Sequence, residues 1–427
     1  MSLAQNVEFL RRLQKLPGIN GLGGDFGWNL RPGARSPLAE ITDFGSNPGD
    51  LKMFSFVPDR LQPRPALVVV LHGCGQTAAG YDLGAGWSTL AERYGFALLM
   101  PEQRSSNNAN TCFNWFNPED TARDSGEACS IRQMIARMVD DAGIDPQRIF
   151  VTGLSAGGAM TSVMLATYPE IFAAGAVIAG LPFGVATNVR EALNGMFQSP
   201  PRPAGELGDL VRHASGHQGP WPKLSVWHGS ADRTVNPANA DEIVKQWLDV
   251  HQLPAAPMSV GTVDGHPHQV WWNADGETVV ESYTITDMAH GTPLGVGDND
   301  ERYGTQGAFL IEAGISSSYH ISSFFGLTES IARPKEAAKQ ATKQVANQVS
   351  TQASRGAAKE TSRATSRQAS RESGKPIPAL ARTPEIAAVL RPLTGSSRQP
   401  EPPQPRRRGI DVSAVITRAL TAAGLMK

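Results

Sequence analysis

Short runs of apolar residues alternate with amphipathic stretches from residue 51 to residue 290, and the alternation predicts βα units. Leu51–Val57 reads as the first strand and Ala66–Leu71 as a continuous, β-branched run of the kind a strand buried on both faces requires. A helix follows near Trp87–Tyr94, then a strand over Phe96–Met100 and a helix over Ser130–Asp141. Arg148–Thr152 is a strand leading into a helix that Pro169 ends, and Ala174–Ile178 is another strand. The Pro- and Gly-rich stretch at 181–220 reads as an irregular lid or rim. Leu224–Gly229, a helix over Asn239–Leu248 and a strand over Thr278–Thr286 complete the pattern, which closes near Phe324–Leu327. Strands joined through helices predict an α/β fold, a mostly parallel sheet flanked by helices.

The ends carry a different pattern. Leu3, Val7, Leu10 and Leu13 recur at helical spacing within Met1–Leu16, while Arg11, Arg12 and Lys15 break any apolar core. That segment reads as an amphipathic helix and not a secretory signal, which by itself favours the cytoplasm. Past residue 331 the chain turns to Ala, Ser, Thr, Gln, Arg and Lys, with repeated Ser-Arg pairs, and predicts a disordered basic tail. Val412, Val415, Ile416, Ala419, Leu420 and Ala423 then share one helical face. The expected division is 1–40 as helix and lead-in, 41–330 as the catalytic domain, 331–409 as linker and 410–427 as a short amphipathic helix.

Charge sharpens this division. The formal net charge of −1 conceals 16 Lys/Arg against 5 Asp/Glu in residues 331–410 and a net −13 in residues 1–330. An acidic catalytic domain excludes nucleic acid as its partner, whereas the 331–427 tail suits an acidic surface or a granule. No apolar run reaches the ~18–20 residues of a membrane span. Three cysteines are too few for a disulfide scaffold: Cys74 and Cys112 can pair if the protein is exported, and free buried thiols are the plainer reading. No metal-ligand spacing and no phosphate-binding loop occurs, and the chemistry below needs no cofactor.

The chemistry concentrates at Gly153-Leu154-Ser155-Ala156-Gly157, directly after a predicted strand and before a predicted helix. A serine hydroxyl acts as a nucleophile when a sharp turn holds it clear of the backbone beside a base and an anion-stabilising pocket. Asp232, in the turn after Leu224–Gly229, is placed to orient an imidazole, and His290, in the loop after Thr278–Thr286, is placed to be that imidazole. Asp264 is the rival acid, but its Asp-Gly-His-Pro setting reads as an exposed hairpin turn. His266 and His268 lie at the wrong end of a strand. The N–H of Ala156 and that of Cys74, in the glycine-rich turn His72–Gly75, are the candidate oxyanion donors. His72 and His228 read as ring donors flanking the site, with His72 also a candidate for substrate contact.

These residues together resemble the esterase/polyhydroxybutyrate-depolymerase family, specifically the short-chain-length polyhydroxyalkanoate depolymerases with a type 1 extracellular catalytic domain. The resemblance spans roughly residues 40–327. It is carried by Leu71-His72-Gly73-Cys74, by Cys112-Phe113-Asn114-Trp115-Phe116, and by Gly153 through Met160. Trp227-His228-Gly229 with Asp232, Met288-Ala289-His290-Gly291 and Gly314–Ser318 complete it. It implies an α/β-hydrolase fold, an extracellular setting, and a Ser155–His290–Asp232 acyl-enzyme mechanism on poly(3-hydroxybutyrate) or its oligomers. It also implies Trp115 near the substrate cleft. Feruloyl and acetylxylan esterases belong to the same broad family, so a small-ester hydrolase is the alternative. The chain departs from secreted polymer depolymerases in showing neither a signal peptide nor a folded polymer-binding module.

Overall fold

The computed structural model describes residues 35–295 and 303–328. The predicted N-terminal helix, the 331–409 linker and the terminal helix lie outside the described residues.

In chain order the elements are β1 (Ala39–Ile41), β2 (Lys52–Phe56), β3 (Leu67–Leu71), α1 (Ala78–Ala85), α2 (Trp87–Tyr94) and β4 (Ala97–Glu102). A short α3 (Pro118–Thr121), α4 (Gly126–Ala142), β5 (Ile149–Leu154), α5 (Ala156–Thr167) and β6 (Ala174–Ile178) follow. Then come α6 (Val189–Gln198), α7 (Ala204–Ser215), β7 (Lys223–Gly229), α8 (Ala238–Val250), β8 (Ser259–Val263) and β9 (His266–Trp272). The last are β10 (Thr278–Ile285), β11 (Thr292–Leu294), β12 (Leu310–Glu312) and α9 (Ser317–Phe324).

A ten-stranded sheet in the order β1-β2-β4-β3-β5-β6-β7-β10-β9-β8 forms the middle layer. Its strands from β4 across to β10 are parallel, and antiparallel pairs close both edges. Alternation along β3 explains the two packed faces. Leu67, Val69 and Leu71 join one apolar cluster with Ile131 and Met138 of α4, Met164 of α5 and Trp247 of α8. Val68 and Val70 join the other with Tyr81, Trp87, Leu90 and Ile321 from α1, α2 and α9. A strand covered on both sides has no polar face to present, hence the unbroken valine run.

Two expectations are corrected. The first strand is β1, too short and too exposed to give an apolar run; Leu51–Val57 contains the second. The 181–220 stretch is not irregular, since it holds α6 and α7. Asn188 caps α6 by accepting the Glu191 amide hydrogen bond, and the prolines sit before and between the helices. The Asp264-Gly265 turn does join the hairpin β8–β9, both residues taking positive φ.

The site is positioned by β3 and β5. Chain order runs from β3 outward to β4 on one side and returns to β5 on the other, so the loops leaving β3 and β5 diverge around a crevice. In open parallel sheets ligands bind at such a switch point, outside the strands' carboxyl ends. The two loops also touch: a Cβ on Gly157 would overlap the carbonyl oxygens of Leu71 and His72. Gly157→Ala should therefore cost about 1–3 kcal/mol and lower activity, whereas Gly205→Ala, with open space around it, should leave both unchanged or slightly improved. Denaturant midpoints and ester turnover for the two variants check this.

Candidate active site

Ser155 ends β5 with φ 57° and ψ −116°, a conformation that L-residues rarely adopt. Its amide donates to Ile178 O at 2.9 Å and its carbonyl accepts from Ala159 N at 2.8 Å, so β6 and α5 hold the turn from both sides. Every residue of α5 is buried. Small residues allow that packing, and its hydroxyls are satisfied internally, Thr161 on Gly157 O and Ser162 on Leu181 O. The Ser155 side chain remains half-exposed at the N-terminus of this helix.

Asp232 and His290 meet although 58 residues separate them. His290 Nδ1 lies 2.7 Å from Asp232 Oδ2. The turn after β7 and the loop after β10 are knitted by Ser230 N to Ile285 O, Ala231 N to Met288 O and Asp287 N to Ser230 Oγ. Asp232 Oδ1 accepts the amides of Thr234 and Val235 at 2.8 and 2.9 Å. His228 Nε2 also contacts the carbonyl of Val235, which only accepts, so this nitrogen carries the proton and donates to Asp232 Oδ2 as well, at 3.1 Å. Burial works against the Asp232 charge. Hydrogen bonds from His228 and His290, the charge of His290 and the Val235 amide outweigh it and hold the carboxyl well below the usual range. An ionised Asp232 accepts a hydrogen bond from His290 Nδ1 and so orients the ring, with Nε2 clear of the acid.

In the turn after β3 most of the amides flanking Cys74 are already committed. Gly73 N–H is taken by Gln76 Oε1, and Gly75 N–H by Asn110 O and Thr111 Oγ1. Among the described residues the N–H groups of Cys74 and Ala156 have no acceptor. Cys74 is joined by a disulfide to Cys112, with Cα atoms 4.3 Å apart, while Cys129 is free.

His72 does not offer its ring to the site. It is fully buried, Nδ1 donates to Gly73 O at 2.8 Å and Nε2 accepts the Gln103 amide at 3.1 Å. Burial pushes its pKa down despite the Gly73 bond, so it is a neutral brace. Trp115 is 8% exposed and packs edge-on against Phe116. His266 bonds Ala313 O and the Thr286 amide, and His268 bonds Glu281, so neither joins the site.

Sequence reading missed two residues. Phe309 stands edge-on to His290 at 5.8 Å between centroids, on a backbone with φ 61°. It follows no apolar periodicity and could have been found only through the fold. Glu127 is fully buried and accepts from Gln103 Nε2 at 2.6 Å, Asn114 N at 2.8 Å, Asn114 Nδ2 at 2.7 Å and Asn107 Nδ2 at 3.4 Å. A glutamate on the buried face of α4 was the available signal. Among the described residues no cluster of three or more His, Cys, Asp or Glu could hold a metal ion, and no helix is long and apolar enough to cross a membrane.

A parallel sheet with an elbow serine, an Asp–His pair on later strand ends and free amides opposite defines an α/β-hydrolase, here a serine carboxylic-ester hydrolase. Residues 54–258 match the family model described as Esterase PHB depolymerase. The chain is 47% identical over 291 residues to poly(3-hydroxyalkanoate) depolymerase C of Paucimonas lemoignei, covering 68% of this chain and 70% of that protein. It is 34% identical to an acetylxylan esterase of Coprinopsis cinerea, over 60% of this chain and 69% of the other. Among solved structures, acetyl xylan esterase from Aspergillus awamori superposes with a TM-score of 0.58 at 25% identity, covering 68% of this chain and 99% of that one. The chain belongs to the esterase/polyhydroxybutyrate-depolymerase family.

Two predictions follow from the electrostatics. In Asp232→Asn, the amide can serve either the two backbone donors or the two imidazoles, never both, so kcat for a soluble ester should fall roughly 10³–10⁴-fold. Steady-state kinetics that leave kcat within tenfold would contradict this. For Glu127, burial with the added charge of Asp120 pushes the carboxyl up to about 8 against its amide donors. A group raised in the fold stabilises fully below the unfolded carboxyl range, about pH 4.3, and loses that contribution as pH rises through 8. The melting temperature of Glu127→Gln relative to wild type should climb between about pH 5 and 8 and then level off.

Proposed function

We propose that this chain hydrolyses poly(3-hydroxybutyrate) or its oligomers, with Ser155 as nucleophile, His290 as general base and Asp232 as the orienting acid. The observation that carries the chemistry is the 2.7 Å Asp232–His290 bond at the end of the sheet where the Ser155 turn emerges. Ser155 Oγ attacks the ester carbonyl while His290 Nε2 takes its proton. The tetrahedral oxyanion accepts from the N–H groups of Ala156 and Cys74, one such donor being worth ~3 kcal/mol. The C–O bond to the alcohol breaks as His290 returns the proton to the leaving oxygen. Water, deprotonated by His290, then attacks the acyl-enzyme; the C–O bond to Ser155 breaks as His290 returns that proton to Ser155 Oγ, and the acid is released.

The polyester reading is supported by the 47% identity to a poly(3-hydroxyalkanoate) depolymerase. Half-buried Phe116, Phe183 and Phe309 on loops at this end of the sheet also fit an apolar ester chain. Trp115, buried beneath Phe116, supports that wall. The excess of cations in residues 331–410 suits a tether to a granule or another acidic surface. The alternative, a small-ester esterase acting on acylated carbohydrate, is favoured by the superposition on acetyl xylan esterase.

The test is release of 3-hydroxybutyrate from amorphous polyhydroxybutyrate granules, beside turnover of para-nitrophenyl butyrate, with Ser155→Ala as blank. Both activities should be present in wild type and absent in Ser155→Ala. Turnover of the small ester alone overturns the polyester reading, and wild-type rates in Ser155→Ala overturn the mechanism. Removing residues 331–427 should reduce granule release and spare the soluble ester.

A further inference from the structure

The geometry points to Glu127 as a positioning residue for the proposed oxyanion donor, acting on Cys74 through two arms that share the Gln103 side chain. The first arm starts at Glu127 Oε1, which accepts from Gln103 Nε2 at 2.6 Å. The Gln103 amide N–H donates to His72 Nε2 at 3.1 Å, and His72 Nδ1 donates to the carbonyl of Gly73, the residue before Cys74. The second arm starts at Asn114, whose backbone N–H reaches Glu127 Oε2 and whose side-chain amide reaches Oε1. Gln103 Nε2 also holds Cys112 O at 3.1 Å, and Cys112 carries the disulfide to Cys74. One arm thus fixes the backbone leading into Cys74 and the other fixes its side chain. Both converge on a carboxyl group that contacts neither the substrate position nor Ser155.

This carboxyl is costly to bury, since no cation among the described residues pairs with it and its partners are all amides. Amide donors aimed at two acceptor oxygens from two segments, 103–107 and 114, lock a turn more rigidly than apolar packing, because each bond is directional. A hydrogen-bond donor for a developing oxyanion must be placed to within fractions of an ångström, and misplacement by about 1 Å costs roughly 10²-fold in rate. Glu127 supplies that rigidity without touching the reaction.

The inference rests on the reading of Ser155 and Cys74 given above, and the test separates the two. Wild type, Glu127→Gln, Gln103→Ala and Asn114→Ala are titrated to end point with a fluorophosphonate, which counts nucleophilic Ser155 independently of turnover. Kinetics with para-nitrophenyl butyrate are then expressed per titrated site. In Glu127→Gln the new amino group faces donors, so kcat per site should fall roughly 10- to 100-fold with KM within about twofold. Gln103→Ala and Asn114→Ala should each fall by less, and Gln103→Ala should add little to Glu127→Gln in the double variant. Fewer titratable sites at unchanged kcat per site would mean that Glu127 only holds the fold, and would overturn the inference. If Glu127→Gln does not fold, Gln103→Ala and Asn114→Ala decide: wild-type kcat per site in both overturns it. Failure of wild type itself to titrate would instead remove the reading of Ser155 and leave nothing for Glu127 to position.

Discussion

Everything at the reacting end of this molecule depends on how closely two backbones approach. The turn leaving β5 lies so near the turn leaving β3 that a methyl group on Gly157 would meet the carbonyls of Leu71 and His72, and one on Gly153 would meet Gly157 itself. Only glycine permits this. The approach brings the amide of Ala156, at the start of a wholly buried helix, to the same crevice as the amide of Cys74. Neither is given an acceptor by the described residues. In the mechanism proposed above, losing the approach would leave a nucleophile and a base but no paired donors for the charge that develops between them.

The electrostatic design complements that contact. Asp232 is 5% exposed and carries its charge because two backbone amides and two imidazoles point at it. Glu127 is more deeply buried, its donors are amides alone, and a second acidic side chain, Asp120, lies near. The two acids therefore move in opposite directions from the ordinary carboxyl range. Burial is the first cause at both; at Asp232 the hydrogen bonds from His228 and His290, the charge of His290 and the Val235 amide outweigh it, whereas at Glu127 the nearby Asp120 adds to it and the amide bonds do not offset it. In the roles proposed above, the first acid would hold a base whose charge changes during turnover, and the second a turn that must not move.

How much of this was legible in the sequence depends on the range of each signal. Ser155 was readable because strand, turn and helix are consecutive, and Asp232 and His290 because each follows its own strand closely. The valine run of β3 was readable because both its faces are covered. α6 and α7 were hidden by prolines that break the pattern at their ends and not within them, so punctuation was mistaken for irregularity. His72 was misassigned for a subtler reason. Its place in the turn after β3 is as expected, but the direction of a ring cannot be read from spacing, and the Gln103 amide that claims Nε2 is 31 residues away. Phe309 lies further still from any local signal, and the one signal of Glu127, its place on the buried face of α4, says nothing of the partners it faces.

The same distinction separates the shared chemistry from its substrate. The elbow, the Asp–His pair and the two free amides are built on strand ends, where the sheet fixes geometry to a fraction of an ångström. Phe116, Phe183 and Phe309 sit on loops beyond those ends, and α6 follows the loop that carries Phe183. A loop can change length and side chain without disturbing the hydrogen bonds that hold Ser155 or Asp232, because none of those bonds passes through these aromatic side chains. One scaffold can thus serve polyester and acylated-carbohydrate hydrolases among its relatives, with discrimination resting on apolar walls added outside a polar frame. A flexible hydroxyalkanoate chain offers methyl groups and few donors, so it gains from half-buried phenyl rings what a sugar would have to gain from hydrogen bonds. On the polyester reading proposed above, these phenyl rings would serve the first kind of substrate, and the amide-braced turn is indifferent to which one arrives.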